Sequence, residues 1–115
     1  MSELPRPDGK TTIAPDVLLT IARLTTLSVP GVKRLAAIPD VDRIFRKPAS
    51  DGVKISVENN TVYADLYVIL ARDINVRDVS RAIQNQVARS ISEIVGMEVG
   101  KINIHIEDID FSEAA

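Results

Sequence analysis

The chain has 115 residues, of which 45% are hydrophobic and 3% aromatic, and its formal net charge is −2. This length and composition predict one globular domain with an aliphatic core and exclude a disordered chain. The slight acidic excess argues against general nucleic-acid affinity, which requires surplus Lys and Arg, and the absence of cysteine excludes disulfides, thiolate metal sites and cysteine nucleophiles.

Both ends of the chain are predicted to be tails. Residues 1–9 are polar, contain two prolines and lack the apolar segment of a signal peptide, so we predict a flexible N-terminal tail. The domain is predicted to comprise residues 10–111, followed by a short C-terminal tail at 112–115. No run approaches the roughly 20 apolar residues that span a bilayer. We therefore expect a cytoplasmic protein, held at a membrane only through a partner.

The domain is predicted to open with an optional edge strand at 11–13 and a first helix. Pro15 suits the first helical position, where a missing N–H costs nothing, and Asp16 complements the helix dipole. The predicted inward stripe of this helix consists of Val17, Leu18, Ile21, Leu24 and Thr25. The helix must end before Pro30 and Gly31, and a strand is predicted over 32–38.

A basic irregular segment at 39–52 separates this strand from a β-hairpin. Residues 53–57 alternate apolar and polar side chains, and Asn59-Asn60 forms a favourable two-residue turn. The return strand at 62–70 has two faces. The first carries Val62, Ala64, Leu66, Val68 and Leu70, and the second carries Tyr63, Asp65, Tyr67 and Ile69.

The last predicted elements are a second helix and a final strand. Asn75 is the predicted N-cap, Gly96 the predicted C-cap, and residues 99–106 alternate as a strand. A strand–helix–strand unit implies parallel pairing with a right-handed crossover. The predicted fold class is α+β: a two-layer sandwich with two helices on one face of a mixed β-sheet, in the order (β)α-β-ββ-α-β.

Few residues are candidates for chemistry. His105 is predicted to point off the core beside Asn103 and Glu107; catalysis would require a nearby nucleophile and an orienting group. We interpret it as a solvated strand residue. The acidic residues at 107–110 lack calcium-loop spacing and are interpreted as keeping a sheet edge soluble. Glycine-rich phosphate motifs are absent. We predict no enzyme and no catalytic, metal-binding or cofactor-binding residues.

Two surfaces are candidates for binding. Arg77, Arg81 and Arg89 share the outer face of the second helix and suit either phosphate or anionic-lipid contact, or an ordinary solvated face. Tyr63 and Tyr67 lie on the sheet face away from the helices, where they suit base stacking or protein contact. Because Asp65 between them would repel phosphate, protein contact is favoured. The sequence leaves open whether Pro39–Gly52 or the tyrosine face binds the partner.

Several short motifs together resemble one family. They are Ile13-Ala14-Pro15-Asp16-Val17, Val29-Pro30-Gly31-Val32, Ala64-Asp65-Leu66-Tyr67-Val68-Ile69, Val95-Gly96-Met97-Glu98-Val99 and Ile102-Asn103-Ile104-His105-Ile106. In order and spacing, over about residues 10–111, the chain resembles the alkaline-shock, general-stress proteins of Gram-positive and related bacteria. Arg72-Asp73 and the basic 39–52 segment depart from that pattern.

The resemblance implies a small cytoplasmic, non-enzymatic protein of cell-envelope stress and homeostasis. Some relatives are held at the membrane by a separate anchoring protein. The resulting hypothesis is an interaction domain that self-associates or binds a protein partner. The alternative is a small RNA-binding module with a KH-like or split βαβ sheet, which the acidic composition disfavours.

Overall fold

The computed structural model describes residues 7–38, 49–50 and 52–112. They form helices α1 (Pro15–Ser28) and α2 (Val76–Val95) and strands β1 (Val32–Leu35), β2 (Ala49–Ser50), β3 (Val53–Glu58), β4 (Thr61–Ala71) and β5 (Glu98–Asp110). The predicted α+β class and its element order are confirmed. Most of the predicted 39–52 segment, and much of both predicted tails, lie outside the described residues.

Strand β4 is the centre of the sheet. One of its edges pairs in parallel with β5 from Thr61 to Ala71. Its other edge pairs antiparallel first with β3, over 61–66, and then with β1, over 68–70. The two-residue β2 extends the sheet beyond β3. Helix α2 is therefore the crossover between parallel strands, as the strand–helix–strand pattern predicts.

The predicted turns and caps are confirmed in detail. Asn59 and Asn60 adopt φ of 51° and 59° at the hairpin turn, a backbone region that asparagine tolerates. The Asn75 side chain accepts a hydrogen bond of 3.0 Å from the Asp78 N–H and so caps α2. Gly96 ends that helix at φ 76°, in the left-handed region that favours glycine.

The core lies between the sheet and the two helices. Its fully buried side chains come mainly from β3, β4 and α2 and include Val53, Val62, Leu66, Val68, Leu70, Ile83, Val87 and Ile91. The helices run antiparallel: Gly31, after α1, contacts Val79 near the start of α2, whereas Pro15 and Val95 line one cavity at the opposite end. Among the described residues, both helices lie on this one face of the sheet.

The predicted inward stripe of α1 is wrong in part: Leu18 is buried and Ile21 packs against the core as predicted, but the rest of the stripe is displaced. The buried residues are Leu18, Leu19, Ala22 and Thr26, whereas Val17 and Leu24 are exposed. Apolar residues occur on both sides of this helix, so periodicity alone cannot select its inner face, and packing beside α2 decides it. Thr26 is tolerated inside because its hydroxyl donates a 2.7 Å hydrogen bond to the Ala22 carbonyl.

The optional strand at 11–13 does not form. Residues 7–14 have no regular secondary structure. Thr11 and Ile13 instead line an apolar cavity of about 650 Å³, together with Ile55 and Val57 of β3 and Met97 after α2.

Candidate interaction face

The sheet side opposite the two described helices, called here the open face, displays an ordered group of polar and aromatic residues. Tyr63, Asp65 and Tyr67 alternate along β4, and the parallel register sets Asp65 opposite Asn103 and Tyr67 opposite His105 on β5. Residues on alternate positions of a strand share one face of the sheet. The predicted placement of both tyrosines away from the helices is therefore confirmed.

Asp65 organises the middle of the open face. Its Oδ1 lies 2.8 Å from His105 Nε2 and accepts a 3.2 Å hydrogen bond from Asn103 Nδ2. One carboxylate oxygen therefore holds two side chains of the neighbouring strand. The interpretation of His105 as a merely solvated residue needs correction, since its ring is half-buried and fixed by Asp65. This pairing spans forty positions of the sequence, so local patterning gave no signal for it.

Tyr67 is a packed residue and not an exposed aromatic. Its ring stacks on the His105 ring with centroids 4.4 Å apart and an interplanar angle of 12°. Lys54 Nζ lies 5.9 Å from the ring centroid, within range of a cation–π interaction. Ala36 and Ile38, which follow β1, pack with the same side chain and reduce its exposure to 5%. Tyr67 is therefore a buried residue that holds the His105 ring in place by stacking, a role that the sequence did not suggest.

Tyr63 is the exposed aromatic of the open face. Its side chain is 36% exposed and lies across Gly100 of β5. A Cβ added at Gly100 would come within 2.3 Å of Tyr63 Cε1 and 2.7 Å of Cδ1, so only glycine allows the ring to rest there. The tyrosine is thus both accessible and held against the backbone of the adjacent strand.

The structure does not bring the predicted arginines to the open face. Arg77, Arg81 and Arg89 are exposed on α2, in the opposite layer of the molecule. Arg89 Nε lies 3.6 Å from Glu93 Oε1, and both side chains are largely exposed. An exposed pair of this kind contributes little stability. The arginines and the tyrosines therefore lie on separate surfaces of the molecule.

The acidic end of β5 forms a small structural network. Asp110 Oδ2 accepts a 3.1 Å hydrogen bond from Arg34 on β1, across β4. Its Oδ1 accepts bonds of 2.6 Å and 2.9 Å from the hydroxyl and backbone N–H of Ser112. The Ser112 bonds, followed by the Arg34 bond, lower the pKa of Asp110 from 3.8 to about 2. This end therefore ties β5 to β1.

Two further features of the described residues bear on function. Within residues 7–38, 49–50 and 52–112, no three His, Asp or Glu side chains lie close enough together to hold a metal ion. In the same part of the chain, neither helix has both the length and the apolar character needed to cross a bilayer.

Comparison with solved structures shows a related fold. The MamM CTD in its copper form superposes with a TM-score of 0.52 at 10% identity, covering 87% of this chain and 91% of that one. A variant of the same domain gives a TM-score of 0.51 at 12% identity, with coverage of 81% and 95%. At such low identity the likeness extends to the arrangement of helices and strands alone.

Comparison with protein sequences identifies the family. The uncharacterized protein YqhY of Bacillus subtilis is 26% identical over 110 residues, covering 93% of this chain and 82% of YqhY. The uncharacterized protein Spy1535 of Streptococcus pyogenes is 31% identical over 102 residues, covering 88% and 79%. The sequence model of a family described as having a cell envelope-related function matches residues 3–111. The resemblance predicted from the motifs is confirmed: the chain belongs to the alkaline-shock protein 23 family, whose function is related to the cell envelope.

Proposed function

We propose that this chain is a non-catalytic interaction domain of the envelope-stress type. It acts by self-association or by binding a protein partner, including one anchored in the membrane, and the open face is the contact surface. The observation that supports this proposal most strongly is Tyr63, an accessible aromatic ring seated on Gly100 beside the fixed Asp65–His105 pair. Tyrosine is enriched among the residues that dominate protein interfaces.

The side chains of the open face are already fixed in position, and this favours binding of a protein partner. Association costs free energy when flexible side chains become fixed at an interface. Here Asp65, Asn103 and His105 are already joined by hydrogen bonds, and His105 is stacked on Tyr67. A partner that contacts this surface therefore loses less of its binding energy to ordering. Asp65 and His105 also offer polar groups that can select among partners.

The same geometry disfavours RNA. Sheet-based RNA recognition stacks bases on exposed aromatic rings, usually on two or three of them. Tyr67 is 5% exposed and already stacked on His105, which leaves Tyr63 as the accessible ring of the pair. The Asp65 carboxylate lies between the two tyrosines along β4 and would repel a phosphate backbone. The three arginines predicted to contact phosphate, Arg77, Arg81 and Arg89, lie on α2, in the layer opposite the open face.

The proposal is tested by Tyr63→Ser with Phe111→Ser as its matched control. Phe111 is an aromatic residue that is 70% exposed and follows the end of β5, beyond the part of that strand that carries Asn103 and His105. Sedimentation velocity and quantitative capture of cross-linked proteins from cells are compared for the wild type and both variants. We expect Tyr63→Ser alone to weaken self-association or partner capture.

The outcome that contradicts the proposal is equally specific. If Tyr63→Ser leaves both the distribution of oligomers and the captured proteins unchanged, the open face is not the contact surface. Anisotropy with a pool of single-stranded RNA provides the complementary measurement, and we expect no saturable binding at physiological salt.

A further inference from the structure

Helix α1 is apolar on the side that faces away from the core. Leu18, Leu19 and Ala22 pack against the sheet, yet Val17, Leu24 and Leu27 on the other side remain 44%, 57% and 40% exposed. We call the exposed row the outer stripe; it consists of Val17, Thr20, Leu24 and Leu27. Its members lie three or four positions apart, the spacing of the contact positions in paired helices.

The outer side of α2 is an ordinary solvated surface and differs from the outer stripe of α1. The outer side of α2 carries Arg77, Arg81, Asn85 and Arg89, as expected for a helix that has one face in water. A helix that is hydrophobic on all sides is normally covered on all sides. The outer stripe of α1 therefore has the character of a surface that another helix covers.

The charges beside the outer stripe indicate which helix that is. Asp16 and Arg23 are seven positions apart and so lie on the same flank of the stripe, with opposite signs. Neither makes an ion pair with any other described residue. If α1 meets an antiparallel copy of itself with the outer stripes centred on position 22, Asp16 of each copy faces position 28 of the other. It then lies five residues, or about 7.5 Å along the axis, from Arg23 of that copy, a gap that the long arginine side chain can span. In a parallel pair, Asp16 would instead lie level with Asp16 of the other copy, and Arg23 level with Arg23.

We propose that α1 pairs antiparallel with α1 of a second copy and buries the two outer stripes against each other. This inference rests on the self-association part of the proposed function and assigns it to a surface other than the open face. Both helices lie in the layer opposite the open face, so a dimer formed in this way presents two open faces pointing away from each other. Such a dimer binds a clustered or membrane-held partner bivalently, which raises its effective affinity.

The expected dimer is weak. Helix α1 has 14 residues and is therefore about 21 Å long. A single pair of such helices falls below the roughly 1,200–2,000 Å² that stable interfaces bury. We therefore expect reversible dimerisation that depends on protein concentration, which a clustered partner would strengthen.

The first experiment is sedimentation velocity over a wide concentration range with the wild type, Leu24→Glu and Phe111→Glu. Phe111 is the matched control, because it is a more exposed apolar residue outside α1. We expect the wild type and Phe111→Glu to dimerise alike, and Leu24→Glu to dimerise at least about tenfold more weakly, since each dimer contains two Leu24 side chains. A monomeric wild type, or unchanged dimerisation of Leu24→Glu, would overturn the proposal.

The second experiment tests the direction of pairing by exchanging charges. Asp16→Arg and Arg23→Asp should each weaken the dimer, roughly threefold or more, and the two changes together should restore it. A double variant that dimerises no better than either single variant overturns the antiparallel arrangement. Circular dichroism on every variant confirms that α1 remains folded, because Asp16 also stabilises the start of the helix.

Two outcomes separate this inference from the proposed function. If Leu24→Glu leaves the dimer intact while Tyr63→Ser abolishes it, the open face is the self-association surface and the inference about α1 fails alone. If the wild type stays monomeric but floats with vesicles of phosphatidylcholine through Leu24, the outer stripe covers a lipid surface, and the proposal of a second copy is overturned.

Discussion

Replacing Gly100 with alanine provides a direct test of how the open face holds Tyr63. The added Cβ would lie 2.3, 2.7 and 2.9 Å from Cε1, Cδ1 and Cζ of Tyr63. These separations are much shorter than a van der Waals contact between carbon atoms, so the Tyr63 ring must move away from position 100. Because the ring is partly exposed, it can rotate into solvent without disturbing the core. We therefore expect Gly100→Ala to disrupt the contact surface while the domain remains folded.

The energetic consequence has two opposing parts. Overpacking typically costs about 1–3 kcal/mol, whereas alanine is favoured over glycine inside a strand by roughly 0.5–1 kcal/mol. In the wild-type background, urea unfolding should therefore show a net loss of about 2 kcal/mol or less. In a Tyr63→Ser background the clash is absent, and Gly100→Ala should be neutral or stabilising. The two substitutions should be coupled by about 1–3 kcal/mol.

The result that refutes this reasoning is additivity. If Gly100→Ala changes the free energy of unfolding equally in both backgrounds, Tyr63 does not rest on Gly100. Unchanged ring-proton chemical shifts of Tyr63 in Gly100→Ala would lead to the same conclusion by an independent measurement.

Three further predictions concern the rest of the molecule. The folded-state pKa of Asp110 is lowered to about 2, so its contribution to stability is present above its ordinary value of 3.8 and is lost as the pH falls through about 2. A carboxyl-carbon NMR titration should show that low midpoint, and in Arg34→Ala the midpoint should rise; no rise would show that the Arg34 contact is not formed. Purified protein should float poorly with anionic liposomes at physiological salt, because each arginine near such a surface contributes only about 1 kcal/mol and salt screens it; strong, salt-resistant flotation would contradict this. Finally, incubation with nucleotides, esters and phosphoesters should give background turnover, and reproducible turnover that His105→Ala abolishes would show that the Asp65–His105 pair is catalytic.

The parts of the fold that the sequence predicted best have strong local signals. The Asn59-Asn60 turn, the Asn75 cap and the Gly96 stop each depend on the backbone preference of one or two residues. Parallel pairing of β4 with β5 followed from chain order and handedness. In contrast, β5 continues to Asp110 although its pattern becomes acidic after Ile106. Backbone pairing with β4 as far as Ala71 maintains the strand where side chains give no such signal.

The missed features depend on packing between distant segments. The inner face of α1 was mispredicted because both of its sides are apolar, and only the position of α2 selects between them. Burial of Tyr67 results from Ala36 and Ile38, which follow β1. The Asp65–His105 contact requires the exact register between β4 and β5. The sequence offered one indication of this contact: Asp65 and His105 both occupy outward positions on strands that were expected to pair.

The most direct test of the account is photo-cross-linking in living cells from the position of Tyr63. A photoreactive phenylalanine analogue replaces Tyr63 in one strain and Phe111 in another, and the covalent adducts are identified by mass spectrometry. Because Tyr63 is the accessible ring of the open face and Phe111 follows the end of β5, we predict a defined protein adduct, either a partner or a second copy, from position 63 alone. Equal yields of the same adducts from both positions, or no protein adduct from position 63, would contradict the assignment of the open face as the contact surface.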